Sequence, residues 1–246
     1  GLHLIFRVVF SLIPSHLSLP PVCPFLYIGP LSSLCQLLLY NTKTIDSKIL
    51  ECAKIEFLEK GFVNASLRRI CANAGVTTGA LYKRYSGKEA LFQALVQSVI
   101  DDIDQVVSAR SIDYADPSLS DRQLYDMWTM TEGYLDWWHD FLFKRKDGFT
   151  LLIKCSEGSQ YQNFQHDLVE RICEETYKCY RAAADRGLAR KDISLRELHV
   201  LTTSFWSTMY EPFIHDFTDE ELQLHCYLTT QFIDWHKVFE FREPQE

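Results

Sequence analysis

Residues Ser66 to Lys88 read SLRRICANAGVTTGALYKRYSGK, and this stretch decides the fold. Leu67, Ile70, Cys71 and Ala74 recur at three- and four-residue intervals, the spacing of one helix face. Gly75 then breaks the pattern, because glycine alone takes the positive φ of a tight turn between crossing helices at no steric cost. Val76 follows as an apolar plug. A second helix is expected from Thr77 or Thr78 to about Tyr85, with Leu81 and Tyr85 turned inward. Arg68, Arg69, Lys83, Arg84 and Lys88 all lie between Asn64 and Lys88, a span without an acidic residue. Such a helix-turn-helix carries the charge that a helix entering the major groove of DNA needs.

The rest of the chain has the opposite sign. Across 246 residues the formal net charge is −8, divided as +2 over residues 1–43, −1 over 44–63, +5 over 64–88 and −14 over 89–246. A compact basic patch on an acidic body orients the molecule on a polyanion and keeps its other faces away from one. A hydrophobic fraction of 47% is ample for a packed core.

The run Arg69-Ile70-Cys71, Ala74-Gly75-Val76-Thr77, Gly79-Ala80-Leu81-Tyr82, Tyr85 and Lys88-Glu89 resembles the DNA-binding signature of the tetracycline-repressor (TetR) family of bacterial transcriptional regulators. The resemblance covers roughly Ile45 to Val99; beyond it the chain is similar to the family in length and helical habit. It implies an all-α fold: an N-terminal three-helix helix-turn-helix domain at 44–88, then a helical ligand-binding and dimerisation domain at 89–246. It also implies phosphate contacts at Ser66, Tyr82 and Lys88, which set register without reading sequence. The residues themselves give Ser66 a second role as helix N-cap, and leave Arg68 free to reach DNA because it faces away from the apolar stripe. Arg69 reads equally as a DNA contact or a solvated charge. Thr77, Thr78, Ala80, Lys83 and Arg84 point outward, and the small side chains at Thr78, Gly79 and Ala80 let the helix approach base edges. Lys83 and Arg84 depart from the family, which more often has an aromatic residue followed by His or Tyr; two cations predict a steeper salt dependence.

Residues 1–43 stand apart. They hold five of the eight prolines and no acidic residue. They read as an extension outside the fold; the alternative is a membrane tether, although Leu31 to Tyr40 is too short to span a bilayer. From Asp46 to Lys60, Ile49, Leu50, Ala53, Phe57 and Leu58 mark a first amphipathic helix closed by Gly61, with Phe62 wedged into the small head core. Ser86 and Glu89 have capping-box spacing for a helix through Leu91, Leu95 and Val99 to about Arg110, the lever between head and body. Asp113 to Asp121, with Pro117, reads as a linker. Ser120 and Gln123 then cap a helix carrying Leu124, Trp128, Leu135, Trp138 and Phe141. A short apolar helix is expected to end near Gly158, a long one to run from Phe164 to Gly187, and others to start at Ser194 and Thr218.

Within the body, Trp128, Trp138, Tyr161, His166, Trp206 and Tyr210 are the candidate lining of the effector cavity that the resemblance implies, with core packing as the alternative for each ring. Helices at about 195–215 and 219–238 match the family's dimer-forming pair, so a homodimer on palindromic double-stranded DNA is expected, with an unidentified small-molecule effector. No cofactor, metal site or membrane partner is expected, since His199, His215, His225 and His236 lack ligand spacing. The eight cysteines read as buried thiols of a reducing cytoplasm. A hydrolase built on Cys155, His166 and Glu170 is the competing enzyme reading. No nucleophile elbow, P-loop or zinc-protease motif supports it, so the expectation is a repressor and not an enzyme.

Overall fold

The computed structural model describes residues 33–109, 112–114, 116 and 118–244, with side chains from residue 44 onward. The chain divides into two units between Ser47 and Lys48. Within the first, the description is confined to the opening turns of helix α1 (Ser33–Asn64); the other elements belong to the second. Those elements are α2 (Leu67–Ala74), α3 (Thr78–Tyr82), α4 (Lys88–Ser108), α5 (Asp121–Asp126), α6 (Glu132–Phe143), α7 (Lys146–Lys154), α8 (Phe164–Asp185), α9 (Leu195–Ile214), α10 (Asp219–Phe232) and α11 (Trp235–Val238). Among the described residues there is no strand, and the fold is all-α.

Helix α1 begins upstream of Asp46, and Gly61, at φ 70° and ψ 167°, breaks its helical backbone where the sequence places a stop; a short further turn follows to Asn64. The interruption removes Phe62 from the helical ladder. Its N–H instead donates to the carbonyl of Cys155 at 2.8 Å. The side chains of Phe57, Phe62 and Phe92 then close the head core, Phe92 meeting Phe57 edge-on at 5.1 Å and Phe62 at 5.4 Å. Ile49, Ala53, Ile70, Leu81 and Leu91 fill the rest of that core, each fully buried.

Several helix ends differ from the sequence expectation, each for a local reason. α3 stops at Tyr82 and not near Tyr85, the Arg84 N–H tightening to the Leu81 carbonyl three residues back. The Ser86–Glu89 box does not form. Gly87 occupies the cap and Glu89 falls in the first turn, where it complements the helix dipole. The helix expected after Ser120 is two helices, since Thr131 accepts from the Tyr134 N–H and starts α6 afresh. Asp234 likewise caps a separate α11, splitting the helix expected over 219–238. The reciprocal boxes at Ser120–Gln123 and Thr218–Glu221 do form. Arg110 and Pro117, and the extension up to residue 32, lie outside the described residues.

The body is built around α8, which packs against α9, α7 and α5. One core gathers Leu124, Trp128, Cys179, Tyr180, Leu198 and Phe239. A second, aromatic one joins Trp138, Trp206, Phe149 and Phe213. Lever helix α4 lies so close to α7 that a Cβ on Gly148 would come within 2.5 Å of Val99 Cγ2.

Candidate functional site

The reading head owes its geometry to three short-range devices. Ser66 caps α2 by accepting from the Arg69 N–H, and Thr77 caps α3 by accepting from the Ala80 N–H at 3.1 Å. Between them Gly75, at φ 67°, sends its N–H to Ala72 while Val76 sends its own to Cys71, the paired bonds of a left-handed helix stop. Ile70, Cys71 and Leu81 point into the core. Arg68, Thr77, Thr78, Gly79, Tyr82 and Lys83 are exposed together, with Ser66 and Ala80 half-buried at their margin. Tyr82 keeps 56% of its surface open, a large aromatic ring left in solvent at the end of α3.

The remaining cations of this stretch are held by the protein. Arg69 folds back onto α1, its Nε 3.2 Å from Glu56 and its Nη2 3.4 Å from Glu59. Glu56 is only 2% exposed and also accepts from the Ser66 N–H at 3.0 Å. Arg84 donates to the Ala80 carbonyl at 3.1 Å and so finishes α3. The Lys88 ammonium sits on the Val63 and Ala65 carbonyls at 2.9 and 3.4 Å and over the Phe62 ring, where its charge meets the negative end of α1. Spacing alone shows none of these three anchorages, because their partners lie 10 or more residues away or on the same helix's backbone.

In the body, His166 and Tyr210 line one cavity of about 380 Å³, together with Gln162, Asn163, Gln165, Val169, Thr203 and Ser207. Sequence reading missed the polar members; their amide and hydroxyl groups carry no periodic signal. The Tyr210 ring is 4% exposed and its hydroxyl has no hydrogen-bond partner within the protein. Burial raises its pKa, so it stands there as a neutral O–H donor. The other candidates lie elsewhere. Trp128 packs edge-on against Phe239 at 4.9 Å, and Trp138 against Trp206 at 5.1 Å. Tyr161 lies 6.0 Å from Phe92, at the junction of head and body.

The thiols are also placed. Cys155 is buried with its Sγ 4.0 Å from the Leu58 carbonyl, and burial raises its pKa, disfavouring the thiolate that a nucleophile requires. A second thiol–imidazole contact, Cys226 Sγ to His139 Nδ1 at 3.4 Å, was not singled out by spacing. Burial drives that pair apart chemically: the imidazole falls to about 4 and the thiol rises to about 12. Both stay neutral at pH 7. Among the described residues no group of His, Cys, Asp and Glu is arranged to hold a metal ion.

Fold and exposed surface together define a helix-turn-helix module mounted on a helical body. Residues 49–95 match the model of the bacterial regulatory proteins of the tetR family, so this stretch is similar to that family's DNA-binding domain. Among curated proteins, the HTH-type transcriptional regulator UidR of Escherichia coli K12 is 40% identical over 50 residues, which are 20% of this chain and 26% of UidR. The Shigella flexneri UidR matches identically. The chain thus spans about a quarter of the length of these curated relatives. Two crystal structures share the fold over most of the chain. A TetR-family regulator from Streptomyces coelicolor A3 superposes with a TM-score of 0.51 at 14% identity, covering 80% of this chain and 91% of its own. NalD, the secondary repressor of the MexAB-OprM multidrug efflux pump in Pseudomonas aeruginosa, gives 0.50 at 22% identity, covering 78% and 96%.

Proposed function

We propose that this protein is a homodimeric transcriptional repressor that binds palindromic double-stranded DNA through α2 and α3 and is released by a small molecule held in the helical body. The observation that carries the reading is the exposed set Arg68, Thr77, Thr78, Gly79, Tyr82 and Lys83 around a left-handed Gly75 turn, within a +5 stretch of a −8 chain. In this arrangement α3 enters the major groove with Thr78, Gly79 and Ala80 nearest the base edges. Ser66 and Tyr82 face phosphates, and the Lys88 ammonium, seated on the Val63 and Ala65 carbonyls, turns its remaining N–H to one. Dimerisation is supported by an apolar surface along α9 and α10: Val200, Leu224 and Leu228 are more than half exposed, and Phe232 is 79% exposed. Two heads on one dimer read two half-sites about one helical turn apart.

The cavity beside Tyr210 is our choice for the effector site. Its lining offers amides, hydroxyls, one imidazole and no carboxylate or ammonium group, which suits a neutral ligand carrying a hydrogen-bond acceptor for the Tyr210 hydroxyl. No helix among the described residues is long and apolar enough to cross a membrane; most of the stretch on which the membrane-tether alternative rests lies outside them. Footprinting on the DNA flanking the protein's own gene, with and without candidate neutral ligands, tests the reading. Protection of a palindromic segment that one ligand relieves supports it; absence of any protected segment rejects it.

A further inference from the structure

The segment between α7 and α8 faces two ways. At one end its residues hold the reading head: the Cys155 carbonyl accepts from Phe62, Tyr161 lies against Phe92, and a Cβ on Gly158 would come within 2.7 Å of Val63. At the other end, Gln162, Asn163, Gln165 and His166 form one wall of the cavity. The segment is internally bonded. Ser156 donates to Leu152 and Ser159 to Ser156, each at 2.7 Å, and the Ser159 hydroxyl accepts from the Tyr161 N–H.

Two of the cavity amides also fasten this segment. Gln162 Oε1 accepts from the Gly158 N–H at 3.4 Å, and Gln165 Nε2 donates to the Ile153 carbonyl at 2.8 Å, in the last turn of α7. Thr203 and Ser207, on the opposite wall, donate their hydroxyls to the backbone of their own helix. They hold nothing of the segment.

We propose that Gln162 and Gln165 are positioning residues that transmit occupancy of the cavity to the reading head through the segment 153–162 and the Phe62–Cys155 hydrogen bond at the Gly61 break. The proposal rests on the effector reading given above and deepens it. A ligand that draws either amide into the cavity removes its bond to Gly158 or Ile153. The segment then loosens where it meets α1, and the head changes its angle on the body. The Phe62–Cys155 hydrogen bond gives the cavity a route to α1 in addition to the packing of Tyr161 on lever helix α4.

The test is amide hydrogen exchange on the full chain, comparing Phe62 with Ile70, whose N–H bonds to Ser66 inside the head. In the Gln162→Ala/Gln165→Ala variant, exchange at Phe62 should rise about tenfold while Ile70 is unchanged, the loss of one to two hydrogen bonds. DNA affinity should fall in parallel without any ligand. Gln162→Glu keeps the acceptor for Gly158 and should leave Phe62 protected; Gln165→Glu loses the donor to Ile153 and should not. Lys144→Ala, which removes only an exposed pair with Asp140, should change neither readout. Unchanged exchange at Phe62 in the double amide variant, or faster exchange with undiminished DNA affinity, overturns the proposal. Failure of the parent protein to bind DNA at all would instead defeat the regulator reading.

Discussion

The carboxylate of Glu56 is buried to 2% exposure and is held by Arg69 Nε at 3.2 Å on one side and the Ser66 N–H at 3.0 Å on the other. It ties helix α1 to the first turn of α2, so the arginine beside the DNA-facing surface serves the fold. Arg69→Ala strands the carboxylate with a single donor and should destabilise the protein by about 1.5–3 kcal/mol, the worth of a charged hydrogen bond. Glu59→Ala, which removes an exposed partner of the same arginine, should cost less than about 0.5 kcal/mol. Urea unfolding midpoints of the two variants check the difference.

The lever helix offers a packing test. A Cβ on Gly148 would meet Val99 Cγ2 at 2.5 Å and the Leu95 carbonyl at 3.3 Å, so Gly148→Ala should overpack the α4–α7 contact at a cost of about 1–3 kcal/mol. Val99→Ala in the same chain makes room for the methyl. Thermal unfolding of both singles and the double should give a coupling that favours the double, whereas simple additivity would place the contact elsewhere.

How much of this was legible before the structure divides along physical lines. The helix-turn-helix was, because Gly75, the Leu67–Ala74 stripe and the basic run are local signals. The start of a separate α6 and the separate α11 were not, since Thr131 and Asp234 look like ordinary polar residues until their hydroxyl or carboxylate meets an N–H. Aromatic side chains at helical spacing suggested both core and cavity: Trp128, Trp138 and Trp206 lie in the aromatic cores, while His166 and the buried Tyr210 border the cavity. The anchorage of Lys88 on Val63 and Ala65 spans more than twenty residues of sequence, beyond any pattern of spacing.

Acid should weaken the fold through His139. Its folded-state pKa is about 4 against an ordinary 6.5, principally because burial disfavours the charged ring. The unfolded chain therefore takes up the proton first as pH falls, and stability is lost between about 6.5 and 4. The shift corresponds to about 3 kcal/mol at full effect. His139→Gln removes this titration, and its melting temperature should fall less steeply than the parent's across that window.

Two cations that are adjacent in sequence should behave differently on DNA. Lys83 is exposed, whereas Arg84 is bonded to the Ala80 carbonyl. Lys83→Ala should lower the slope of log affinity against log salt by about 1, with retained helix stability. Arg84→Ala should chiefly loosen the end of α3, seen as reduced stability of the head. Equal salt slopes for Lys83→Ala and the parent would remove Lys83 from the interface.

The central claim is that Ser66–Lys88 docks on DNA as a paired reading head. Fluorescence anisotropy of a labelled duplex from the flank of the protein's own gene, titrated over a salt series, tests it most directly. The account predicts saturable binding by a dimer, much tighter than to a shuffled duplex, and weakened in Tyr82→Phe and Lys88→Ala on every sequence alike. Affinity indistinguishable between the two duplexes, with no change in either variant, would contradict it.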